Sequence, residues 1–201
     1  MWWKGVTALA HYLLFCRVVL AGIFVVSLIS KTRGRNAYRE FVDATRALLE
    51  VPSRRARPLA GAAVAAEAGT VVLLTVPGMS PTGFAVAAGL LSCFTVALVR
   101  AVRRGTGASC GCFGATAAPA APRHVIRNLL LIALACGALA TLLLETRPAP
   151  GMAGGALTAL VAVTLTALIL RLDDLVDLFR KPPVLEAAAG QRRAGGGKHQ
   201  A

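Results

Sequence analysis

Two cysteines stand one residue apart in the sequence SCGCFG, at Cys110 and Cys112. Two thiols at this spacing can close a small, strained ring, and Gly111 between them eases that closure. Strained or exposed disulfides have high reduction potentials and are the labile, catalytic or regulatory ones. The spacing therefore predicts a reversible redox pair at Cys110 and Cys112. The alternative interpretation is a structural turn that contains two incidental cysteines.

The residues around this pair favour the thiolate form of cysteine. A predicted helix begins near Val125, and the N-terminus of a helix stabilises an anion. Positive charge beside a thiol is the usual origin of cysteine reactivity. His124 is a candidate proton acceptor, with an interfacial or helix-capping role as its alternative. The flanking basic residues are five arginines: Arg100, Arg103, Arg104, Arg123 and Arg127.

The same two thiolates also suit a soft metal ion, which is a different class of function. Zinc needs four ligands, and the segment offers two cysteines and at most one histidine. We therefore expect no bound cofactor, with a quinone or a metal ion as open alternatives. A second redox pair for transfer across a bilayer would have to come from Cys16, Cys93 and Cys136. Buried cysteine is usually a small apolar packing residue, which is the role expected of these three.

The composition indicates a membrane protein. Of the 201 residues, 56% are hydrophobic and 15% are charged, and the mean hydropathy is +0.67. A water-soluble domain carries about a quarter charged residues, so an ordinary cytosolic enzyme is excluded. The net charge of +13 falls between the apolar runs. Basic loops between membrane spans have this pattern, which predicts membrane lipid and no nucleic acid as a partner.

Five apolar stretches approach the length of about 20 residues that a helix needs to cross a bilayer. In lipid they must be helices, because each backbone polar group needs an internal partner. The first is too long for a signal peptide, contains Arg17, and has no small-residue cleavage site before Lys31. The predicted fold is an all-α, polytopic membrane helical bundle. Its spans cover residues 7–30, 59–76, 82–99, 125–144 and 152–170.

Lysine and arginine are unequally divided between the two sides of this topology. Eighteen lie in the 31–58 segment, the 100–124 segment and the tail, and two lie on the other side. Basic loops stay in the cytoplasm. We therefore expect a multi-pass protein of a bacterial-type inner membrane, with its N-terminus out and its C-terminus in. Cytosolic thiols are kept reduced, so this side suits a relay of electrons outward or a cytosolic partner better than direct oxidation of an exported protein.

Two segments outside the spans have helical patterns. Residues 171–180 are predicted to extend the fifth helix or to lie along the membrane surface. Residues 39–49 are predicted to form a short amphipathic interfacial helix. Its apolar contacts are Phe41, Val42, Leu48 and Leu49. The predicted transmembrane domain covers residues 1–181, and residues 182–201 are predicted to be a disordered cytoplasmic tail.

Two charged residues lie inside predicted spans, Arg17 in the first and Glu67 in the second. Such residues are costly in a membrane, usually face the bundle interior and often mark function. Adjacent antiparallel helices would bring the two together, so we predict that Arg17 and Glu67 lie at similar depths and pair. The alternative is that Arg17 extends to the interface and Glu67 only supports packing.

These features occur in the order typical of the methylamine-utilisation MauE family, within the broader DoxX-like group of membrane proteins. The resemblance covers about 60% of the chain. The matching residues are RVVLAGIFVVSLISK at Arg17–Lys31, Glu67, Phe94-Thr95, CGCFG at Cys110–Gly114, and Arg127-Asn128 at the opening of the fourth span.

The resemblance implies a four-helix core, to which the last span adds a fifth transmembrane helix. It also implies a role beside a thioredoxin-like partner in the disulfide maturation of an exported, cysteine-rich protein. In the namesake that client is the small subunit of methylamine dehydrogenase. The residues that would support the Cys110 and Cys112 pair are Arg127, Asn128, Glu67, Arg17 and Lys31.

Three functions are consistent with these features. The first is a membrane thiol–disulfide component. The second is a soft-metal transporter or chaperone that uses the same two thiolates, and the third is a non-catalytic assembly scaffold. A neighbouring gene for a thioredoxin-like protein would favour the first, and a metal-responsive regulator would favour the second.

Overall fold

The computed structural model describes residues 2–104, 122–144 and 152–179. Within those ranges the chain is helical and contains no strand. Cys110, Cys112 and the predicted tail at 182–201 lie outside the described residues. The helices are α1 (Trp2–Thr32), α2 (Arg35–Leu49), α3 (Ser53–Thr75), α4 (Ser80–Arg104), α5 (Pro122–Leu144) and α6 (Met152–Phe179).

Four of these helices are long and apolar enough to cross a membrane. They contribute the stretches Ala8–Thr32, Ser53–Thr75, Ser80–Arg104 and His124–Leu144. In the described part of α6 the apolar stretch is shorter, Gly154–Ile169. The predicted all-α, polytopic helical bundle with a four-helix core and a further apolar helix is therefore confirmed.

The helices extend beyond the apolar stretches that revealed them. The second predicted span began at residue 59, but α3 begins at Ser53 and includes three arginines before the apolar run. Likewise α4 continues to Arg104, where basic side chains suit the negative end of the helix dipole. Hydropathy marks the part of a helix that lipid surrounds, whereas backbone hydrogen bonds continue into the interface. The continuation of α6 to Phe179 confirms that residues after 170 extend the fifth predicted helix.

The core is a ring of four helices. Helices α1 and α4 each pack against both α3 and α5, and also touch one another. Helices α1 and α3 are antiparallel, because Arg17 contacts the C-terminal end of α3 while Lys31 contacts its middle. Large apolar side chains from all four helices are buried in this ring, among them Leu20, Phe24, Leu74, Phe84 and Leu131.

Helix α2 closes one end of the ring. It begins at Arg35, four residues before the predicted start, and packs against α1, α3 and α4. Phe41 and Thr45 are buried, Val42 and Leu48 are half-buried, and Leu49 is exposed. The predicted amphipathic helix is therefore present, and its apolar face covers other helices.

Helix α6 runs parallel to α1 over its first half. The hydroxyl of Thr158 lies 3.0 Å from Nδ1 of His11. About two to three turns further along both helices, Gly22 faces Thr166. This compact unit covers Met1–Thr166. From Ala167 the chain forms a second unit, of which the helix to Phe179 is described.

Candidate functional site

Lys31 and Glu67 form a buried ion pair inside the helical bundle. The two side chains are only 1% and 0% exposed, and Nζ of Lys31 donates to Oε1 of Glu67. Ser27, one turn before Lys31 on α1, joins them. Its hydroxyl accepts from Nζ of Lys31 at 3.0 Å and contacts Oε1 of Glu67 at 3.3 Å. The three side chains therefore make one polar cluster between α1 and α3.

Two aromatic rings complete the surroundings of the ammonium group. Nζ of Lys31 lies 4.5 Å from the ring centroid of Phe41 on α2 and 5.4 Å from that of Phe94 on α4. A cation over an aromatic face is attracted by the negative face of the ring, more strongly when water is excluded. Four helices thus contribute to one site, and α2 holds its place partly through this contact.

Two buried acceptor atoms in the described part of the bundle are left without a hydrogen-bond partner. Within the described residues, Oε2 of Glu67 and Oδ1 of Asn128 are buried without a hydrogen-bond partner. A buried, unsatisfied acceptor costs free energy, and such atoms are a common property of functional sites. Asn128 lies on α5, which does not pack directly on α3 in the described part of the chain. The two acceptors therefore belong to different walls of the ring.

The predicted pair between Arg17 and Glu67 is wrong. The guanidinium of Arg17 donates from Nε to the carbonyl of Leu74 and from Nη2 to that of Thr75. These carbonyls belong to the last turn of α3, where the helix itself offers no donor. Leu74 lies seven residues from Glu67, about 10 Å along the helix axis. Arg17 is thus a cap for α3 and is not part of the polar cluster.

The structure describes some of the other predicted site residues and not others. Asn128 is buried and Arg127 is half-buried, both early in α5. The segment that carries Cys110 and Cys112 connects α4 to α5 and lies outside the described residues. The end of α4 before that segment is joined to the end of α2, since Arg104 and Glu50 form an exposed ion pair at 2.8 Å.

The remaining cysteines have different surroundings. All three are free thiols. Cys16 is fully buried in the apolar core, as predicted. Cys93 and Cys136 are exposed on the outside of the bundle, so the prediction that they pack inside is wrong. A helix that crosses lipid needs no polar outer face, and an apolar stretch therefore does not tell which of its cysteines points inward.

Sequence reasoning missed the position of Lys31. It named this residue as a supporting one only through the family resemblance and otherwise counted it as a basic loop charge. The available signal was the spacing of Ser27 and Lys31, which places both on one face of α1. Nothing in the spacing of residues indicated that Phe41 from α2 would cover the ammonium group. No group of three metal-binding side chains occurs among the residues that the structure describes.

Comparison with protein families gives one match. The model of the family described as methylamine utilisation protein MauE matches residues 9–143. The chain belongs to the MauE family. The match covers two thirds of the chain, from the second turn of α1 to the end of α5, and includes the segment with Cys110 and Cys112. Helix α6 lies outside it. No curated protein and no solved structure matches this MauE-family protein significantly.

Proposed function

We propose that this MauE-family protein is a membrane component of a thiol–disulfide maturation system. The observation that carries the proposal is the Cys110–Gly111–Cys112 sequence within the region that matches the family. This sequence joins α4 to α5, two helices that pack against each other. A segment anchored at both ends to the bundle is suited to present two thiols to a partner at one membrane face.

The proposed partner is a thioredoxin-like protein, and the proposed client is an exported, cysteine-rich protein. A thiolate of one protein attacks the disulfide of the other and forms a mixed disulfide, which the second thiol then resolves. Two electrons and two protons pass between the proteins, so one disulfide forms as the other is reduced. This exchange needs no cofactor. Because the charge count assigns Cys110 and Cys112 to the cytoplasmic side, an exported client would be reached through a relay across the bilayer. The resemblance given in the sequence analysis makes the small subunit of methylamine dehydrogenase the first client to examine.

The proposed setting is a bacterial inner membrane, with the N-terminus out and the C-terminus in. The support for this orientation is the distribution of eighteen basic residues against two. The ion pair between Arg104 and Glu50 is consistent with it, because it joins the ends of two segments that the charge count assigns to the same side. A reporter that is active only in the periplasm, fused to the C-terminus, should therefore be inactive.

The thiol mechanism is tested by trapping protein in intact cells with acid and labelling free thiols with a mass tag. In the wild type, a fraction of the molecules should have Cys110 and Cys112 both protected. The variants Cys110→Ser and Cys112→Ser should both lose that protection and leave the client without its disulfides. Only the variant that keeps the attacking thiol and lacks the resolving one should accumulate a mixed disulfide with the partner.

The matched control is Cys93→Ser, which removes an exposed thiol in α4. It should leave the protected fraction of Cys110 and Cys112 unchanged. Loss of client maturation in this variant would indicate that Cys93 belongs to the second redox pair that transfer across the bilayer needs. If both cysteines are always free and their serine variants still mature the client, the thiol mechanism is refuted. Failure of client maturation in Glu67 variants alone would then support the assembly scaffold. Binding of Cu(I) or Zn²⁺ that both serine variants abolish would support the soft-metal carrier.

A further inference from the structure

An open groove runs beside α2 on the outside of the bundle. Its volume is about 970 Å³, and both α2 and the beginning of α3 contribute to its wall. It is distinct from the buried ion pair, because neither Lys31 nor Glu67 lines it. The lining residues are Thr32, Gly34, Arg35, Tyr38, Arg39, Val42, Asp43 and Arg57.

The groove is strongly basic. Arg35 and Arg39 are four residues apart and so project from one face of α2, and Arg57 faces them from α3. All three arginines are exposed, and the ion pairs found among the described residues include none of them. Asp43 is the one acidic residue in the wall. The net charge of the lining is therefore +2.

The position of the groove matches the level of phospholipid headgroups. Thr32 is the last residue of the first apolar stretch, Ala8–Thr32. Arg57 lies just before the apolar part of α3, which begins near Leu59. Both lining residues are thus at the point where their helices leave the apolar stretch. A soluble anion would have to reach this level from the water, whereas a lipid phosphate is already there.

We propose that this groove binds the phosphate of an anionic phospholipid. Guanidinium groups bind phosphate oxygens through two parallel hydrogen bonds, and three of them converge on this space. The hydroxyl of Tyr38, which contacts the carbonyl of Arg57 at 3.4 Å, adds a polar atom to the wall between the two helices. A bound headgroup joins α2 to the start of α3 and so stabilises the position of α2 over Lys31.

The test measures lipid binding by native mass spectrometry of the full chain released from detergent micelles. The probes are phosphatidylglycerol, phosphatidylcholine and inorganic phosphate. Phosphatidylglycerol should bind with the highest affinity. The double variant Arg39→Gln/Arg57→Gln should weaken that binding about fivefold for each arginine, since a basic residue near the bilayer surface contributes about 1 kcal/mol.

The matched control is Arg100→Gln/Arg103→Gln, which removes the same charge from exposed positions at the end of α4. It should leave phosphatidylglycerol binding within twofold of the wild type. Equal losses in the two double variants would overturn the proposal, because they would show attraction to overall charge without a site. Binding of inorganic phosphate as strong as that of the lipid would also overturn it in favour of a soluble anion.

A second pair of variants tests the groove without removing an arginine. Asp43→Asn removes the acidic residue of the wall and should strengthen phosphatidylglycerol binding about fivefold by the same charge argument. Glu40→Gln makes the same change on an exposed part of α2 outside the groove, and it should change binding less than twofold. Equal effects of these two variants would contradict a specific site.

Discussion

The two halves of α3 are held in the bundle by different means. Its middle is held through side chains, since Glu67 pairs with Lys31 and Ser27 of α1. Its C-terminal end is held through the backbone, since Arg17 donates to the carbonyls of Leu74 and Thr75. Both arrangements place a basic residue of α1 against α3, but only the first buries an acidic residue with it.

The difference follows from the position of each partner along the helix. In the middle of α3 the carbonyls already accept hydrogen bonds within the helix, and the cation there is satisfied by the side chains of Glu67 and Ser27. At the end of the helix the last four carbonyls have no partner in the helix. The forked guanidinium of Arg17 can reach two of them at once. Lys31, buried beside the middle of α3, is therefore paired with a carboxylate, whereas the half-buried Arg17 is satisfied by carbonyls at the end of the helix.

Removal of Glu67 alone is expected to have the largest effect. In Glu67→Leu the ammonium group of Lys31 stays buried between Phe41 and Phe94 without its counter-charge. Breaking one side of a buried ion pair costs about 3–5 kcal/mol. The double variant Lys31→Met/Glu67→Leu removes both charges and should recover most of that stability. Thermal unfolding of the purified protein in detergent measures both effects.

Arg104→Gln is the control for this comparison, because it breaks the exposed ion pair with Glu50. Exposed pairs contribute about 0–1 kcal/mol, so the unfolding temperature should change little. A double variant that is no more stable than Glu67→Leu would show that Lys31 and Glu67 do not depend on one another.

A methyl group at Gly83 should have the next largest effect. A Cβ atom there would lie 3.0 Å from the backbone carbon of Leu73 and the backbone nitrogen of Leu74. Backbone atoms cannot move aside as a flexible side chain does, so Gly83→Ala should destabilise the protein by about 3 kcal/mol, the upper part of the range for overpacking. Unfolding in detergent measures this loss. Gly89→Ala meets nothing within 4 Å and should be neutral or stabilising; equal losses would contradict the close contact of α3 with α4.

Loss of the cap on α3 should have a smaller effect. Arg17→Leu removes two hydrogen bonds from a charged donor and should cost about 2 kcal/mol. Because the carbonyls of Leu74 and Thr75 lie about 10 Å from Glu67 along the helix, the loss should add to that of Glu67→Leu within about 0.5 kcal/mol. The double variant measures this additivity. A strong deviation from additivity would restore the idea that Arg17 and Glu67 act as a pair.

Removal of the Ser27 hydroxyl should have the smallest effect. Ser27→Ala deletes one member of the polar cluster and should cost about 1 kcal/mol. The control is Ser30→Ala, because the Ser30 hydroxyl bonds only to the carbonyl of Ser27 in its own helix, at 2.8 Å. Chemical unfolding in detergent should separate the two variants. Equal stabilities would mean that the hydroxyl of Ser27 adds nothing to the ion pair.

Much of the fold could be predicted from the sequence because lipid imposes a simple rule. A chain that crosses a bilayer must satisfy its backbone within each helix, so apolar length alone locates the spans. The amphipathic helix after the first span was also predictable, since its apolar residues recur on one face. The beginning of α3 and the end of α4 were not, because these turns extend beyond the apolar stretches and are basic.

The sequence by itself determined the bundle, its family and the two neighbouring thiols as the candidate redox pair. Only the tertiary structure decided which charge of α1 meets Glu67. Charge counting treated Lys31 as exposed, because it ends an apolar stretch and precedes a basic segment. Helix α2 turns back over this point and covers the ammonium group with Phe41, while the relative position of α1 and α3 brings Ser27 and Lys31 level with Glu67. Burial depends on these neighbours from distant parts of the chain, which no local pattern records.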